Sequence, residues 1–213
     1  MQAPTFKPPN FQTFKPLNSL MHIRPAQLAD IEALCTLDHS YVTDHVWQLS
    51  GREVPGEYVA QFRLSRLPRQ IQVPFAHDPR NLRRTIHRCD HVWVMQGDDS
   101  DNQTLPGSVS YTNGARGVLG YLGMATLPWQ NTGWVPALNV VPEWRRKGIG
   151  TQLLRAAMAQ AKTDSLHSIT LDVQTKNYPT TRLCQARGFR FAGYSDNFYQ
   201  THDIALFFAY KIR

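Results

Sequence analysis

The chain has 213 residues, 42% of them hydrophobic and 18% charged, with a net charge of +7. That is enough for one substantial core and too apolar for a disordered chain. No apolar run approaches the roughly 20 residues of a membrane helix, so no membrane partner is expected. Cys35, Cys89 and Cys184 are odd in number and lack CxxC spacing, which points to reduced thiols and a cytoplasmic protein, with no disulfide framework.

Residues 1–20 are rich in Pro, Phe and Asn and lack a signal-peptide core; they read as an extended arm. Residues 21–213 read as one domain. Met21 to Arg24 alternates as a first strand, closed by Pro25. Ile31, Leu34 and Cys35 give Asp30 to Leu37 helical spacing, and a second short helix is expected over Tyr41 to Leu49. Between and within them lie Asp38, His39, Tyr41, Asp44 and His45, readable either as caps and surface packing or as one wall of a substrate pocket. Tyr58 to Phe75 alternates as one long strand or a hairpin, and Asp78 to Cys89 has a helical period with Leu82, Ile86 and Cys89 on one face.

Strands are expected at His91 to Met95, Ser108 to Thr112, Val118 to Leu127 and Trp134 to Val141, with turns at Gly97 to Asn102, Asn113 to Gly117 and Trp129 to Gly133. Pro136 lies inside a strand and should force a bulge there. Ser168 to Gln174, Phe189 to Tyr194 and Ile204 to Lys211 alternate as strands. Asn177 to Arg187 forms a helix ended by Gly188. The carboxylates at 98–101 lack calcium-loop spacing, and no metal site is expected. The arginines between Arg63 and Arg88 lack interleaved aromatics, so a solvated basic face is expected and a nucleic-acid partner is not.

The chemistry concentrates in Leu138-Asn139-Val140-Val141-Pro142-Glu143-Trp144-Arg145-Arg146-Lys147-Gly148-Ile149-Gly150-Thr151. A strand ends at Pro142, a basic turn follows, and Gly148 and Gly150 open a helix buried through Ile149, Leu153, Leu154, Ala157 and Ala161. Uncapped helix amides, the positive end of the dipole and close backbone approach at glycine together suit a phosphate. The P-loop spacing GxxxxGK[ST] is absent. A dinucleotide fingerprint fails because Leu153 replaces its third glycine and six residues separate the strand from Gly148.

Arg145-x-x-Gly148-x-Gly150 between strand and helix resembles the pyrophosphate loop of the GNAT superfamily of acyl-CoA N-acyltransferases. Leu171-Asp172-Val173-Gln174-Thr175-Lys176-Asn177, followed by Gly188-Phe189, resembles the family's second cofactor segment. Gly193 to Phe207 is similar to the streptothricin-acetyltransferase branch. The likeness covers about His91 to Arg213, with an insertion near 98–116; residues 51–90 have no counterpart.

The resemblance implies an α/β (α+β) fold: a mixed, mostly antiparallel sheet with splayed central strands, flanked by helices. It implies acetyl-CoA as cofactor, with the backbone of Leu138, Asn139 and Val140 along the pantetheine arm. Arg145, Arg146, Lys147, Gly148, Ile149, Gly150 and Thr151 would hold the pyrophosphate, and Asn177 would contact the pantetheine region. It implies transfer of acetyl to a primary amine of a small molecule or protein, by direct attack. The alternative is a catalytically weak acyl-CoA-binding sensor, because two proton-transfer residues are missing: Cys184 stands where the family commonly carries a Tyr, and Pro136 and Ala137 where it often carries a Glu. Replacements are sought in Cys184, Asp172 and Tyr199 for catalysis and in Asp38, Tyr41, Asp44 and Asp196 for the acceptor. An exposed final strand with Phe207 and Phe208 would permit a homodimer.

Overall fold

A computed structural model of the chain describes residues 21–74, 79–97 and 117–212. The expected arm at 1–20, the strand at 108–112 and nearly all of the turns at 97–102 and 113–117 lie outside these residues. Nine strands and four α-helices run in the order β1 (Met21–Pro25), α1 (Asp30–Thr36), β2 (Tyr41–Val54), β3 (Glu57–Val73), α2 (Pro79–His87), β4 (His91–Gly97), β5 (Val118–Leu127), β6 (Thr132–Val140), α3 (Ile149–Thr163), β7 (Ser168–Gln174), α4 (Tyr178–Ala186), β8 (Arg190–Ser195) and β9 (Ala205–Lys211). Seven strands form one sheet in the order β1-β4-β5-β6-β7-β9-β8. Every neighbouring pair is antiparallel except β6 and β7. The expected mixed, mostly antiparallel sheet flanked by helices is therefore present.

Residues 118–125 of β5 are all buried, so both faces of the sheet are covered at its centre. Ile149, Leu153, Leu154, Ala157 and Ala161 of α3 bury one stripe into the same core as Leu122, Met124, Ile169, Leu171 and Val173. Burying a side chain of this size contributes about 1.5–3 kcal/mol.

The stretch 41–49 is a strand rather than the expected helix. Its Tyr, Val, Thr and Trp residues suit a pleated surface better than a helix, and β2 finds a partner in β3 along almost its whole length. Periodicity alone does not resolve this, because Asp44 and His45 fall at a register irregularity between Thr43 and His45. The two strands form a separate long hairpin. Its base crosses the end of β7, where Trp47 N–H donates to Thr175 O at 3.0 Å. Phe62 of β3 packs on Phe191 and Tyr194 of β8, with ring centroids 5.6 and 5.1 Å away.

The final strand is not exposed: β9 lies between β7 and β8, and Phe208 is buried. That removes the strand on which the expected dimer surface rests. Its interior place follows from composition, since Ala205, Leu206 and Phe208 all enter the core.

A partly buried ion pair ties β1 to the start of α1. Arg24 Nη1 and Nη2 donate to Asp30 Oδ2 and Oδ1 at 2.7 and 2.9 Å, and Gln27 N–H also donates to Asp30. Burial raises the Asp30 carboxyl, but the Arg24 and Gln27 hydrogen bonds and the Arg24 charge outweigh it and hold the pKa below the ordinary value. A depressed carboxyl stabilises the fold at pH above the unfolded carboxylate range, and that contribution disappears as pH falls through the folded value. Asp30→Ala takes the carboxylate from the half-buried guanidinium and is expected to cost about 1–3 kcal/mol in chemical denaturation near neutral pH. The deficit should shrink in acid.

Candidate active site

The parallel ladder between β6 and β7 is short. Thr132 to Val135 pair with Ser168 to Leu171, and there it stops. The next residue, Pro136, has no N–H to give. It also lies in a bulge: Gly123 of β5 faces Ala137 and Ala125 faces Trp134, so β6 carries one extra residue between them. The expected bulge at Pro136 is thus where two central strands part. Beyond it, β6 residues 136–140 keep only β5 as a strand partner.

The register says which backbone groups face the opening. Val141 N–H donates to Leu119 O on the β5 side. Alternation along an antiparallel strand then turns the N–H and C=O of Val140 and Leu138 toward the β7 side. Val140 O is taken, at 2.7 Å, by Arg145 Nε. Leu138 N–H, Leu138 C=O and Val140 N–H remain for an extended ligand lying between the strands.

The loop after β6 is shaped by one 3₁₀ turn, Pro142–Trp144, and two left-handed residues, Arg146 at φ 64° and Gly148 at φ 87°. The first helical bond of α3 runs from Gln152 N–H to Gly148 O. The amides of Ile149, Gly150 and Thr151, in the first turn, therefore have no partner within the helix and lie at its positive end. Gly148 caps α3 with no side chain, and a Cβ added there would meet nothing within 4 Å. Gly150 serves packing instead, since a Cβ there would lie 3.0 Å from Leu183 Cδ2; its absence lets α4 approach the start of α3. Lys147 Nζ rests 4.2 Å from the centroid of Trp144, beside the turn. These features fit a pyrophosphate next to a pantetheine arm.

Arg145 does something the sequence does not convey. Its side chain turns inward, to Val140 O and, at 3.5 Å, to Asp38 O. Burial lowers its pKa, against the pull of the Asp38 and Glu143 carboxylates. Asn139 Nδ2 also donates to Asp38 O, at 3.1 Å. So Asp38 is held against β6 by its backbone carbonyl. Its carboxylate accepts from Ser40 N–H at 2.8 Å.

Asp172 is the first β7 residue beyond the last parallel pair, Val135 with Leu171. Its neighbours Leu171 and Val173 point into the core, as alternation requires. Trp134 Nε1 donates to Asp172 Oδ1 at 2.6 Å and Tyr199 Oη to Oδ2 at 2.9 Å. Burial first, then the Asp172 charge and hydrogen bond, push the Tyr199 phenol far above its ordinary value. Tyr199 thus keeps its proton and donates it. Two residues on, Gln174 shares the face of Asp172. Its Oε1 accepts from Tyr41 Oη at 2.9 Å and its Nε2 donates to Asp203 Oδ2 at 3.0 Å. Burial and then the Asp203 charge raise the Tyr41 phenol as well.

So the structure gathers Asp172, Tyr199 and Tyr41 on one face of β7, next to where β6 and β7 part. Asp44 and Asp196 stand apart from this hydrogen-bond chain. Asp44 is bonded to His45 Nδ1 at 2.7 Å, which holds its carboxyl below the ordinary value. Asp196 is exposed in the β8–β9 turn and accepts from Asn197 N–H at 2.8 Å. Asn177 caps α4, its Oδ1 accepting from Thr180 N–H at 3.1 Å. Cys184 is fully buried in the core, and burial pushes its thiol up to about 12. Sequence reasoning does not find Trp134, Gln174 and Asp203. Gln174 is within its reach, because it follows Asp172 at the strand period.

Comparison with known proteins agrees with this geometry. Residues 69–189 match the model of the acetyltransferase (GNAT) family. The chain is 27% identical to the streptothricin acetyltransferase of Streptomyces lavendulae over 183 residues, 85% of this chain and 88% of that protein. Its fold resembles the crystal structure of nourseothricin acetyltransferase, with a TM-score of 0.71 at 21% identity, covering 91% of this chain and 99% of that one. It also resembles a Bacillus anthracis str. Ames protein described as a streptothricin acetyltransferase and solved with acetyl coenzyme A, with a TM-score of 0.63 at 14% identity, covering 91% and 98%. This chain belongs to the GNAT family and is an acetyl-CoA-dependent N-acetyltransferase.

Proposed function

We propose that the acceptor is a small-molecule amine, with streptothricin-type compounds as the leading class. It enters on the face of β7 that carries Asp172 and Gln174. The observation that carries this reading is Asp172, oriented by Trp134 and Tyr199 where β6 and β7 part. The relatives' names supply the compound class.

Acetyl-CoA supplies a thioester activated toward amines. The amides of Arg146 to Thr151 would hold its pyrophosphate, and the backbone of Leu138 and Val140 would pair with its arm as a strand does. Asp172 takes the proton of the attacking amine, the role left vacant by Pro136 and Ala137. Tyr199 holds Asp172 Oδ2 and so fixes the carboxylate plane. Proximity of amine and thioester contributes much of the rate. Cys184 packs the core and moves no proton: a thiol at about 12 and fully buried is poorly matched to a departing thiolate. Cys184→Ala should leave turnover and its pH profile unchanged, while lowering the denaturation midpoint by an amount equivalent to about 1 kcal/mol, the cost of a small cavity.

Three free thiols accord with a reducing compartment, and we place the protein in the cytoplasm. The acceptor class is tested by mass spectrometry of products from acetyl-CoA with streptothricin or with a peptide bearing a free N-terminus. Streptothricin should gain one acetyl group. Acetylation of the peptide alone would contradict the small-molecule assignment.

A further inference from the structure

Lys176 follows β7 by two residues, directly before Asn177 and the start of α4. Its Nζ lies 2.6 Å from Asp203 Oδ1. The carboxylate is the more enclosed partner: the Asp203 side chain is 15% exposed and that of Lys176 41%. The two oxygens of Asp203 do different things. Oδ2 accepts from Gln174 Nε2 at 3.0 Å and from Thr201 Oγ1 at 2.8 Å. Oδ1 faces the lysine. The backbone helps, since Phe198 and Tyr199 N–H both donate to Asp203 O, at 3.2 and 3.4 Å. One oxygen anchors the carboxylate to β7 and its own turn, and the other presents charge to an ammonium.

This carboxylate belongs to the same wall as Asp172. Gln174, two residues from Asp172 on β7, holds Asp203 directly, and the Asp203 charge reaches both Tyr41 and Tyr199. Burial raises the Asp203 carboxyl, but the Lys176, Thr201 and Gln174 contacts hold it below the ordinary value. In a chain of net charge +7, a partly enclosed carboxylate with one oxygen given to an ammonium is a feature that attracts a cation. The chain's own lysine shows which chemistry fits: a primary ammonium on a flexible alkyl stem.

We infer that Asp203 is an ammonium-recognising residue of the acceptor site, and that Lys176 occupies it as a placeholder until the acceptor's own ammonium displaces it. This rests on the acyl-transfer reading above. Lys176 is therefore a competitor of the acceptor, and removing it strengthens acceptor binding. A purely structural ion pair behaves oppositely, because losing either partner loosens the same turn.

The test uses n-butylammonium, which reproduces the lysine stem, titrated calorimetrically into the full-length protein saturated with CoA. Lys176→Ala should bind it up to about fivefold more tightly than wild type, the worth of a half-exposed ion pair. Lys176→Met, which keeps the stem without the charge, should also bind more tightly. Asp203→Asn should show no saturable binding. Unchanged affinity in both lysine variants, or weaker binding in Lys176→Ala and Asp203→Asn alike, overturns the placeholder role. Saturation with CoA in the same experiment checks the acyl-transfer reading separately: a wild-type protein that fails to bind CoA while responding to n-butylammonium as described would sink that reading and leave the ammonium site standing.

Discussion

Gly148→Asp is expected to weaken acetyl-CoA binding by roughly 100-fold or more, equivalent to about 2.7 kcal/mol. The residue sits at φ 87° at the head of α3, with open space where a side chain would project. The amides of Ile149, Gly150 and Thr151 follow it directly. A carboxylate added beside a phosphate held by those amides would be a like charge, and like charges about 4 Å apart cost about 4 kcal/mol at an effective dielectric of 20. Folding suffers less, because Asp tolerates the left-handed region at a cost of about 1–2 kcal/mol. Gly148→Asn is the control. It carries the same backbone strain and nearly the same bulk without the charge, so it should bind acetyl-CoA far better than the Asp variant. Calorimetric titration of CoA, with thermal unfolding alongside, separates the two effects. Equal losses in the Asp and Asn variants would mean that no phosphate lies at this helix end.

Asp172→Asn is expected to lower kcat by about 100- to 10,000-fold, the range of a lost general base. It should leave CoA affinity intact, since Asp172 lies on β7 while the proposed nucleotide loop follows β6. The local structure should survive. Asn can still accept from Trp134 Nε1 through its oxygen, and its amide can donate to Tyr199 Oη, with the phenol turning into an acceptor. Tyr199→Phe keeps the carboxylate and one of its two anchors, so its loss should be much smaller, about tenfold. The pair is measured by steady-state thiol release at saturating acetyl-CoA. Wild-type kcat in Asp172→Asn would place the base elsewhere on the acceptor wall.

The order of strands and helices from β4 onward is readable in the sequence because local patterns carry it. Ser168 to Gln174 alternates, Ile149 to Ala161 keeps a helical stripe, and Gly188 closes α4 with φ 87°. The proposed cofactor loop is readable for the same reason: it is a short contiguous stretch of glycines and basic residues between a strand and a helix. Tyr41 to Leu49 misleads because a strand's identity depends on its partner, and β3 lies beyond a turn at 55–56. The wall around Asp172 is only half legible. Trp134, Asp172 and Tyr199 are brought together by strand pairing and a turn, and their 27 to 38 residues of separation leave no local trace. Arg145 illustrates the limit most plainly. Its place in the motif suggests positive charge beside the phosphate, yet its guanidinium faces Val140 O and Asp38 O. Burial and the need for donors at those carbonyls decide that, and neither is visible in sequence.

One opening, between β6 and β7, is held to bind acetyl-CoA and to transfer its acyl group. This is tested most directly by following free thiol after acetyl-CoA and streptothricin are mixed with the wild-type protein, with CoA binding measured on the same sample. The expected result is saturable CoA binding and thiol release that depends on the amine, one thiol for each acetyl group gained by the acceptor. Tight CoA binding with thiol release no faster than background hydrolysis, for streptothricin and for every other amine tried, would contradict it and leave a protein that binds acyl-CoA without using it.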